Sequence, residues 1–368
     1  MSVPLFDLKR LIKDQKEEFM SSISKCLDHS YFINGPEVQA LERQLGDYTG
    51  SKYVIGVSSG TDALVASLMA SGLSKGDEVL VTSFTFVASA TSILLAGLTP
   101  VFVDTAPNSF HPSLEEIKQA ITPQTKALIY VHLFGEPNEL QEIKRFCDEN
   151  SIILYEDCAQ SFGSRFDDGS HIGTVGETSC YSFFPAKNLG CFGDGGAIMT
   201  DNKETAKKLR MIKNHGSERQ YHNDILGANF RLDTIQASVL SILLRGIDDW
   251  IDRRKDNADF YYKELSSLDL QLPPDKKYHS WNQFTLRVNN RDNLKKYLDS
   301  QGIGNAVYYP IPNHRQKVFS DIISPKDIQK YPNTDILCKQ VISLPVYPGL
   351  TTQERETVVK SLIEFYGG

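Results

Sequence analysis

The sequence predicts an α/β fold: a large domain with a mostly parallel sheet, followed by a smaller C-terminal α+β domain. Seven short apolar segments alternate with amphipathic helical stretches between residues 52 and 201. Strands that alternate with helices favour a parallel sheet covered on both faces, because each crossover requires a connecting helix. A shorter, mixed pattern follows after residue 255. We therefore expect a large domain at 1–250 and a small domain at 251–368.

The composition excludes several classes of partner. The 368 residues include 39 Lys and Arg against 46 Asp and Glu, which gives a formal net charge of −7. A mildly acidic chain has no basic surface for nucleic acid or anionic membranes. No apolar run approaches the about 20 residues that span a bilayer. The N-terminus becomes charged within ten residues, unlike a signal peptide. We expect a cytoplasmic protein with no nucleic-acid or membrane partner.

Neither the cysteines nor the histidines suggest a metal site. The six cysteines are scattered and contain no C-x-x-C pair, so free thiols are expected rather than a zinc site or a redox motif. His215 and His222 stand seven residues apart on a turn-rich stretch, which favours hydrogen bonding over metal ligation. The sequence predicts no metal.

The predicted elements follow in chain order. The strands of the large domain are KYVIGV, DEVLVTS, TPVFVDT, KALIYVHL, SIILYED, SCYSFF and GAIMTD. Helices are expected at TDALVASLMASG, SLEEIKQAI and ELQEIKRFCDEN, and one long connecting helix is expected over 232–265. The small domain has QFTLRV and NAVYYP as strands, with DNLKKYLDSQG and TQERETVVKSLIEFY as helices. Parallel sheets carry their chemistry in the loops after the carboxyl ends of the strands, so functional residues are expected there.

The first of these loops is SSGTDALVASL at 58–68. Small residues precede a helix start, and Thr61 or Asp62 can serve as the N-cap. Free N–H groups and the helix dipole can bind an anion at such a start. The loop has neither the P-loop nor the dinucleotide-binding spacing of glycines. A plain capped helix and a phosphate site both remain open at this point.

The second loop follows the apolar strand SIILYED, which ends in Glu156 and Asp157, with Gln160 one turn later. An acid at the end of a buried strand is costly unless it is paired. The acid can cap the following loop. Alternatively, it can protonate a cationic ring or bind a metal.

The third loop contains Lys187 between two apolar stretches and is followed by glycines at 190, 193, 195 and 196. A lysine in an apolar pocket has a lowered pKa and suits Schiff-base chemistry. The glycines allow the backbone to approach a bulky group. The alternative is a solvated loop lysine.

The three loops together suggest pyridoxal 5′-phosphate (PLP). A phosphate-binding helix start, an acid at a strand end and a lysine about 30 residues later are the parts that bind this cofactor. The acid keeps the pyridine nitrogen protonated, while the lysine holds the cofactor as a Schiff base. Phe86, after the strand DEVLVTS, is well placed to cover the ring face.

Many ordered motifs carry a resemblance to a known family. They run from VPLFDLKR and FINGPEVQALE through VSSGTDAL, TFVASA, EDCAQSFG and SFFPAKNLGCFGDGGAI to NHG, GANFRLDTIQASVL, YYPIPNH and SLPVYPGL. Over nearly its whole length the chain resembles the DegT/StrS family of nucleotide-sugar aminotransferases, which have the fold of aspartate aminotransferase (fold type I).

The resemblance implies a role for each site residue. Lys187 is the Schiff-base lysine and proton carrier, Asp157 faces the pyridine nitrogen and Gln160 lies near the ring hydroxyl. Phe86 stacks on the ring, and the phosphate is held by Gly60, Thr61 and Ser182. In this family the asparagine of G-x-N-x-R, here Asn229, reaches the phosphate from the second subunit. The resemblance therefore implies a homodimer with a shared active site.

The resemblance also implies the reaction. Lys187 argues against the family's dehydratase branch, in which histidine replaces the lysine. L-glutamate is the expected amino donor. The motifs SFFPAKNLGCFGDGG, RQYH at 219–222 and GANFRLDTIQAS look most like the branch that aminates C3 of UDP-linked 2-acetamido-3-keto sugars, of the glucose or glucuronic acid type. Such sugars enter bacterial surface polysaccharide or lipid A.

Three residues are expected to contact the substrate. Arg231 suits a carboxylate or a phosphate. Tyr308 stands where many family members have histidine in an HYP motif. His314 in IPNH is a candidate to line the substrate pocket, and ordinary loop packing is the alternative. The alternatives are amination of a dTDP-3-keto-6-deoxyhexose or of a 4-keto sugar. A PLP enzyme of another reaction class and a non-catalytic binding protein are the competing functions.

Overall fold

The computed structural model describes residues 2–219, 221–324 and 326–367, so Gln220 of the RQYH motif lies outside the described residues. All seven apolar segments between residues 52 and 201 form strands of one sheet, in the order β1-β7-β6-β5-β4-β2-β3. The strands are β1 (Tyr53–Val57), β2 (Glu78–Thr82), β3 (Thr99–Val103), β4 (Thr125–Val131), β5 (Ile153–Asp157), β6 (Thr178–Ser182) and β7 (Gly196–Thr200). β7 is antiparallel to both of its neighbours, whereas the other pairs are parallel. The predicted mostly parallel α/β fold is confirmed.

Helices cover both faces of this sheet. Helices at the N-terminal end of the chain and between the strands are α1 (Leu8–Ile12), α2 (Lys16–His29), α3 (Pro36–Thr49), α4 (Gly60–Ala70), α5 (Val87–Leu95), α6 (Leu114–Ala120), α7 (Gln141–Glu149) and α8 (Lys203–Ile212). Side chains alternate between the faces of a strand, and β4 shows this directly. Leu128 and Tyr130 pack into one hydrophobic cluster, and Ile129 and Val131 pack into a second. The sheet is therefore buried on both sides.

The connection to the C-terminal part differs from the prediction of one long helix. It consists of α9 (Thr234–Leu244) and α10 (Ile247–Leu265), with a break at Arg245 and Gly246. α9 is apolar almost all round and packs against α2 and α3, whereas α10 contacts the last helix, α13 (Thr352–Gly367). The chain must therefore change direction between them, and Gly246, with its low helix propensity, lies at that point.

The C-terminal part has its own hydrophobic cluster, which also takes in Val3. Its elements are α11 (Arg291–Ser300), α12 (Pro332–Gln340) and α13 (Thr352–Gly367), with the strands β10 (Phe284–Arg287) and β11 (Val341–Leu344). A small hairpin, β8 (Ser217–Arg219) and β9 (His222–Asn223), precedes α9. The strand predicted at NAVYYP was wrong, because only Ala306 forms a bridge there, to Ser343.

Three further predictions concern the chain as a whole. The domain boundary predicted at residue 250 falls inside α10, and the division into two domains stays a prediction. Among the described helices, none combines the length and the apolar character that crossing a membrane requires. All six cysteines are buried and unpaired.

Candidate active site

A cavity of about 470 Å³ lies where the parallel strands end. Loops that follow β1, β2, β4, β5 and β6 form most of its wall, and the C-terminal part adds residues near 282 and 308. This is the location expected for an α/β sheet. A larger open groove of about 830 Å³ beside α3 contains none of the predicted site residues. Eight predicted site residues line the first cavity: Gly60, Thr61, Phe86, Asp157, Gln160, Ser182, Lys187 and Tyr308.

One end of the cavity is the first turn of α4. The N-cap is Ser59, whose Oγ accepts a hydrogen bond from the Asp62 N–H at 3.0 Å. Thr61 and Asp62 were expected as the cap, but both lie inside the helix, because the extended backbone of Ser59 directly precedes the first helical residue. The N–H groups of Gly60 and Thr61 have no carbonyl one turn earlier to bond. They are available to an anion in the cavity.

Gly60 also allows α4 to approach the end of β6. A Cβ atom at Gly60 would lie 2.7 Å from Cβ of Ser182 and 3.3 Å from its Oγ. No larger residue fits without a shift of one element. The Ser182 hydroxyl is thereby held beside the free N–H groups of α4, and the three donors form a cradle for a phosphate.

Asp157 supplies a buried carboxylate to the cavity. Its Oδ2 accepts a hydrogen bond from the Ser89 hydroxyl at 2.7 Å, and its Oδ1 accepts one from the Ala159 N–H at 3.1 Å. Burial raises the pKa of Asp157, while these hydrogen bonds and the charge of Lys187 oppose that rise. Within the described parts of the chain it forms no ion pair with Lys or Arg. A cationic group in the cavity would stabilise its ionised form.

Lys187 lies in the turn that follows β6, where its N–H donates to the Phe184 carbonyl at 2.8 Å. Burial lowers the pKa of its amine to about 8, and the nearby Asp157 carboxylate acts in the opposite direction. The side chain lines the cavity rather than projecting into solvent. The neutral amine, which a nucleophile or a base requires, is therefore more populated near neutral pH than that of an exposed lysine.

Gln160 has a fixed orientation. The Phe134 N–H donates to its Oε1 at 2.8 Å, and because a backbone N–H can only donate, the other end of the amide must be the NH₂ group. That Nε2 donates to the Tyr309 hydroxyl oxygen at 3.0 Å. Burial raises the pKa of Tyr309 strongly, so the phenol stays protonated. Its own proton can then be donated into the cavity.

Phe86 offers an apolar surface at the mouth of the cavity. Its side chain is 55% exposed, although it is a large hydrophobic residue next to a buried strand. Its ring centre lies 6.1 Å from that of Tyr309, with a tilt of 41° between the planes. An exposed aromatic face at this position can stack on a planar ligand.

Three residues of this site were not predicted from the sequence. Ser89 lies within TFVASA, but only its contact with Asp157 marks it as part of the site. Tyr309 stands beside Tyr308, which was singled out alone. Asn282 lines the cavity and donates from Nδ2 to Oδ1 of Asn188 at 3.1 Å. In the sequence, its only signal is that it is a polar residue directly before the predicted strand QFTLRV.

The structure does not support His314 as a substrate contact. Its imidazole is fully buried, with Nδ1 2.7 Å from the Ser83 hydroxyl and Nε2 3.2 Å from Oδ1 of Asp335. The ring also stacks on Tyr331, with 4.5 Å between ring centres. These contacts bury His314 outside the cavity wall.

Asn229 and Arg231 lie away from the cavity of their own chain. Asn229 is exposed and forms an isolated bridge with Asn214. Arg231 lines a separate hollow of about 570 Å³ together with His215 and Arg219. Its Nε is buried and has no hydrogen-bond partner among the described residues. This hollow has the donors to bind an anionic group that comes from outside the chain.

The fold and the cavity together define the class of protein. The α4 cradle fits a phosphate, and Lys187 presents an amine of lowered pKa. Among the described residues the Asp157 carboxylate has no ion pair with Lys or Arg, and a pyridinium would supply the cationic partner. These features fit PLP. The class is therefore that of the PLP-dependent α/β enzymes.

The sequence matches the DegT/DnrJ/EryC1/StrS aminotransferase family over residues 13–363, and the chain belongs to this family. It is therefore an aminotransferase that uses PLP. It is 40% identical over 356 residues to the UDP-N-acetyl-3-dehydro-alpha-D-glucosamine 3-aminotransferase of Acidithiobacillus ferrooxidans, covering 96% of this chain and 95% of the relative. It is 37% identical over 369 residues to the dTDP-3-amino-3,4,6-trideoxy-alpha-D-glucose transaminase of Streptomyces venezuelae, covering 99% and 96%.

Solved structures agree with the family and with the fold. The crystal structure of S. venezuelae DesV has a TM-score of 0.96 and 35% identity, covering all of this chain and 99% of that one. The structure of NtdA from Bacillus subtilis, with the bound cofactor PMP, has a TM-score of 0.91 and 32% identity, covering 100% and 86%. The predicted family, fold type and cofactor are confirmed.

Proposed function

We propose that the enzyme transfers the amino group of L-glutamate to C3 of a UDP-linked 2-acetamido-3-keto sugar, of the glucose or glucuronic acid type. The product would serve bacterial surface polysaccharide or lipid A biosynthesis, in the cytoplasm. One observation carries the amino transfer: Lys187 and Asp157 face one cavity that also contains the open first turn of α4. The similarity to the A. ferrooxidans 3-aminotransferase supports this choice of sugar.

Each part of PLP has a matching group in the chain. The N–H groups of Gly60 and Thr61, with the Ser182 hydroxyl, would hold the phosphate. Asp157 would hold the pyridine nitrogen, and Phe86 would cover the ring. When bound, PLP withdraws electrons from the carbon that carries the amino group, which makes a proton on that carbon acidic.

Lys187 would hold the cofactor and move the proton. Because its pKa is about 8, its released amine can accept a proton from the α-carbon of glutamate near neutral pH. In the second half-reaction the same Nζ would deliver a proton to C3 of the sugar. Asp157 would hold its negative charge against the pyridine nitrogen, with Ser89 and Ala159 fixing the two carboxylate oxygens.

The sugar would lie on the side of the cavity formed by the C-terminal part of the chain. Tyr308 lines this side, and the neighbouring Tyr309 hydroxyl faces the cavity with a free proton. A hydroxyl donor of this kind suits a sugar oxygen. Tyr308 replaces the histidine of many family members, and a tyrosine hydroxyl can serve a C6 hydroxyl or a C6 carboxylate.

We also propose that the site is completed by a second copy of the chain. Asn229 is exposed and lies outside the cavity of its own chain, which fits a residue that acts in a partner's site. Arg231 follows two residues later, and its Nε has no hydrogen-bond partner within the described part of the chain. A guanidinium suits a phosphate or carboxylate of the substrate. The functional unit would be a homodimer in which each active site uses both chains.

One alternative substrate has a specific observation in its favour. The S. venezuelae transaminase, whose printed name refers to a dTDP-linked 3-amino sugar, is 37% identical, close to the 40% of the UDP-sugar relative. A dTDP-3-keto-6-deoxyhexose is therefore the second candidate. A 4-keto sugar is the third.

The test is a titration of the PLP-loaded enzyme with amino sugars, which runs the sugar half-reaction backwards. The reagents are UDP-2-acetamido-3-amino-2,3-dideoxyglucose, its 6-carboxylate counterpart, a dTDP-3-amino-6-deoxyhexose and L-glutamate. We expect glutamate and at least one UDP sugar to remove the absorbance of the PLP form. A response to glutamate and the dTDP sugar alone would select the alternative. No response to glutamate would contradict the proposed amino donor.

A further inference from the structure

A second buried carboxylate stands directly beside Asp157. Glu156 is the preceding residue of β5, and its side chain is fully buried. Successive side chains on a strand point to opposite faces, so Glu156 points away from the cavity. Among the ion pairs of the described residues, Glu156 has no Lys or Arg partner and pairs only with His132. A buried carboxylate of this kind must be stabilised by hydrogen-bond donors.

Four N–H groups supply that stabilisation. Oε2 accepts hydrogen bonds from Nε2 of His132 at 2.9 Å and from the Gly173 N–H at 3.1 Å. Oε1 accepts from the N–H groups of Val175 at 2.8 Å and Gly176 at 2.6 Å. The bonds from His132, Gly176 and Val175 lower the pKa of Glu156 against the effect of burial. The carboxylate is thus held as an anion by a closed set of donors.

His132 binds the last two residues of β5. Its backbone N–H donates to the Asp157 carbonyl at 3.0 Å, while its side chain donates to Glu156. The ring is fully buried and does not line the cavity. Its Nδ1 has no hydrogen-bond partner among the described residues. The hydrogen bond that Nε2 donates to Glu156 is therefore the polar interaction that fixes this side chain.

The loop between β5 and β6, residues 158–177, is fastened at both of its ends. At its start, the Ala159 N–H donates to Asp157, and Gln160 enters the cavity wall one residue later. Near its end, residues 173–176 surround the Glu156 carboxylate. A Cβ at Gly176 would lie only 2.8 Å from the Leu154 carbonyl oxygen, so the loop passes directly over the strand.

We propose that Glu156 and His132 are positioning residues for the cofactor site. They touch neither cofactor nor substrate. They hold the end of β5 and the loop after it, and thereby fix the Asp157 carboxylate and the Gln160 amide that face the cavity. The inference rests on the proposed placement of PLP against Asp157.

Two kinds of variant separate the hydrogen bonds from the bulk of the side chains. Glu156→Gln keeps the shape but presents an NH₂ group to His132 and the Gly173 N–H, so donors face donors. His132→Phe keeps a ring but removes the donor, whereas His132→Gln places an amide N–H at similar reach. A positioning role through the hydrogen bond requires that His132→Gln restores what His132→Phe loses.

A matched control comes from the same region. Glu177 is the last residue of the loop, directly before β6. Its Oε1 accepts from Nδ2 of Asn202 at 3.0 Å and from the Thr205 hydroxyl at 2.6 Å. It shares residue type and neighbourhood with Glu156 but does not line the cavity. Glu177→Gln therefore measures the general effect of neutralising a hydrogen-bonded glutamate near this loop.

The experiment follows the holoenzyme. We would measure the rate at which bound PLP is lost, in the presence of an excess of a scavenger for free PLP. This rate is compared between the variants and the parent enzyme, with Asp157→Asn as a reference. We expect Glu156→Gln and His132→Phe to lose the cofactor about tenfold faster, since a hydrogen bond to a charged group is removed. His132→Gln and Glu177→Gln should stay within about twofold of the parent enzyme. The pH dependence of the bound-cofactor absorbance should move in the same direction as in Asp157→Asn.

The outcomes separate this inference from the proposed function. If Asp157→Asn does not accelerate cofactor loss, the placement of PLP against Asp157 is wrong, and the positioning role fails with it. If Asp157→Asn accelerates the loss but Glu156→Gln and His132→Phe do not, the positioning role alone is overturned. An equal effect of His132→Gln and His132→Phe also overturns it. Should Glu156→Gln fail to fold, the two His132 variants decide the question.

Discussion

Gln160 and Tyr309 are joined across the cavity by a hydrogen bond of 3.0 Å, in which the amide donates to the phenol oxygen. The two residues are 149 positions apart in the chain. Gln160 follows β5 of the central sheet, and Tyr309 lies between α11 and α12 of the C-terminal part. The bond therefore couples the cofactor side of the cavity to the proposed sugar side.

Lys187→Ala should abolish multiple turnover without loss of the fold. The alanine removes the only amine that lines the cavity in the described structure. The measurement is amino transfer from glutamate, with circular dichroism to check folding. Lys75→Ala, at an exposed lysine, is the control and should retain full activity. Sustained turnover in Lys187→Ala would disprove the assigned role.

The rate at which apoenzyme captures PLP should depend on pH through Lys187. Only the neutral amine can bond to the cofactor, and its pKa is lowered to about 8. The rate should rise with pH and level off above about 8. Asp157→Ala removes the charge that raises this pKa, so its midpoint should lie at lower pH. A midpoint near the ordinary lysine pKa of about 10.4 would contradict the burial of the amine.

Gly60→Ala should weaken both folding and phosphate binding. The added methyl would meet Ser182 at 2.7 Å, and relief requires α4 or β6 to shift. Overpacking of this kind costs about 1–3 kcal/mol of unfolding free energy. Chemical denaturation and PLP affinity are the measurements. Gly246→Ala is the control, since a Cβ there has only one neighbour, at 3.9 Å. Equal stability of both variants would show that α4 and the end of β6 are not tightly packed at Gly60.

Mixing two defective variants tests the shared site. Asn229→Ala should weaken PLP retention, and Lys187→Ala should be inactive. In a mixed dimer one site receives Lys187 from one chain and Asn229 from the other, so it is intact. After random exchange about a quarter of all sites should be restored, because half of the dimers are mixed and each has one intact site. Activity at limiting PLP no higher than the mean of the two variants would argue against subunit sharing.

Arg231→Met should affect the sugar and spare the amino donor. The guanidinium is proposed to bind a phosphate or a carboxylate of the substrate, and its loss should raise KM for the nucleotide sugar about tenfold or more. The glutamate half-reaction, followed by absorbance in the absence of sugar, serves as the internal control. A similar loss in both half-reactions would mean that Arg231 supports the site as a whole.

Much of the fold was predictable because its signals are local. The seven strands follow from apolar segments and turns, and the positions of Asp157 and Lys187 follow from where those strands end. The break between α9 and α10 was not predictable in this way. Gly246 is a weak signal by itself, and the break depends on where each helix packs.

The parts of the site that escaped prediction depend on contacts between distant residues. The role of Ser89 requires Asp157, 68 positions away, and that of Tyr309 requires Gln160. For His314 the sequence left both the substrate pocket and ordinary packing open, and its contact with Ser83, 231 positions away, decides for packing. The N-cap of α4 was misassigned for another reason: SSGTD offers several capping residues, and only the backbone conformation selects Ser59.

The fastening of the 158–177 loop at both ends has a consequence for protein engineering. Its tip, around Asp167 and Asp168, is exposed, and neither residue belongs to the cavity wall. The hydrogen bonds at Glu156 and Asp157 connect this loop to the site. Residues can therefore be inserted at the tip without changing those hydrogen bonds. A short epitope or a dye-labelled peptide inserted between these two residues would report on this side of the molecule while the enzyme works.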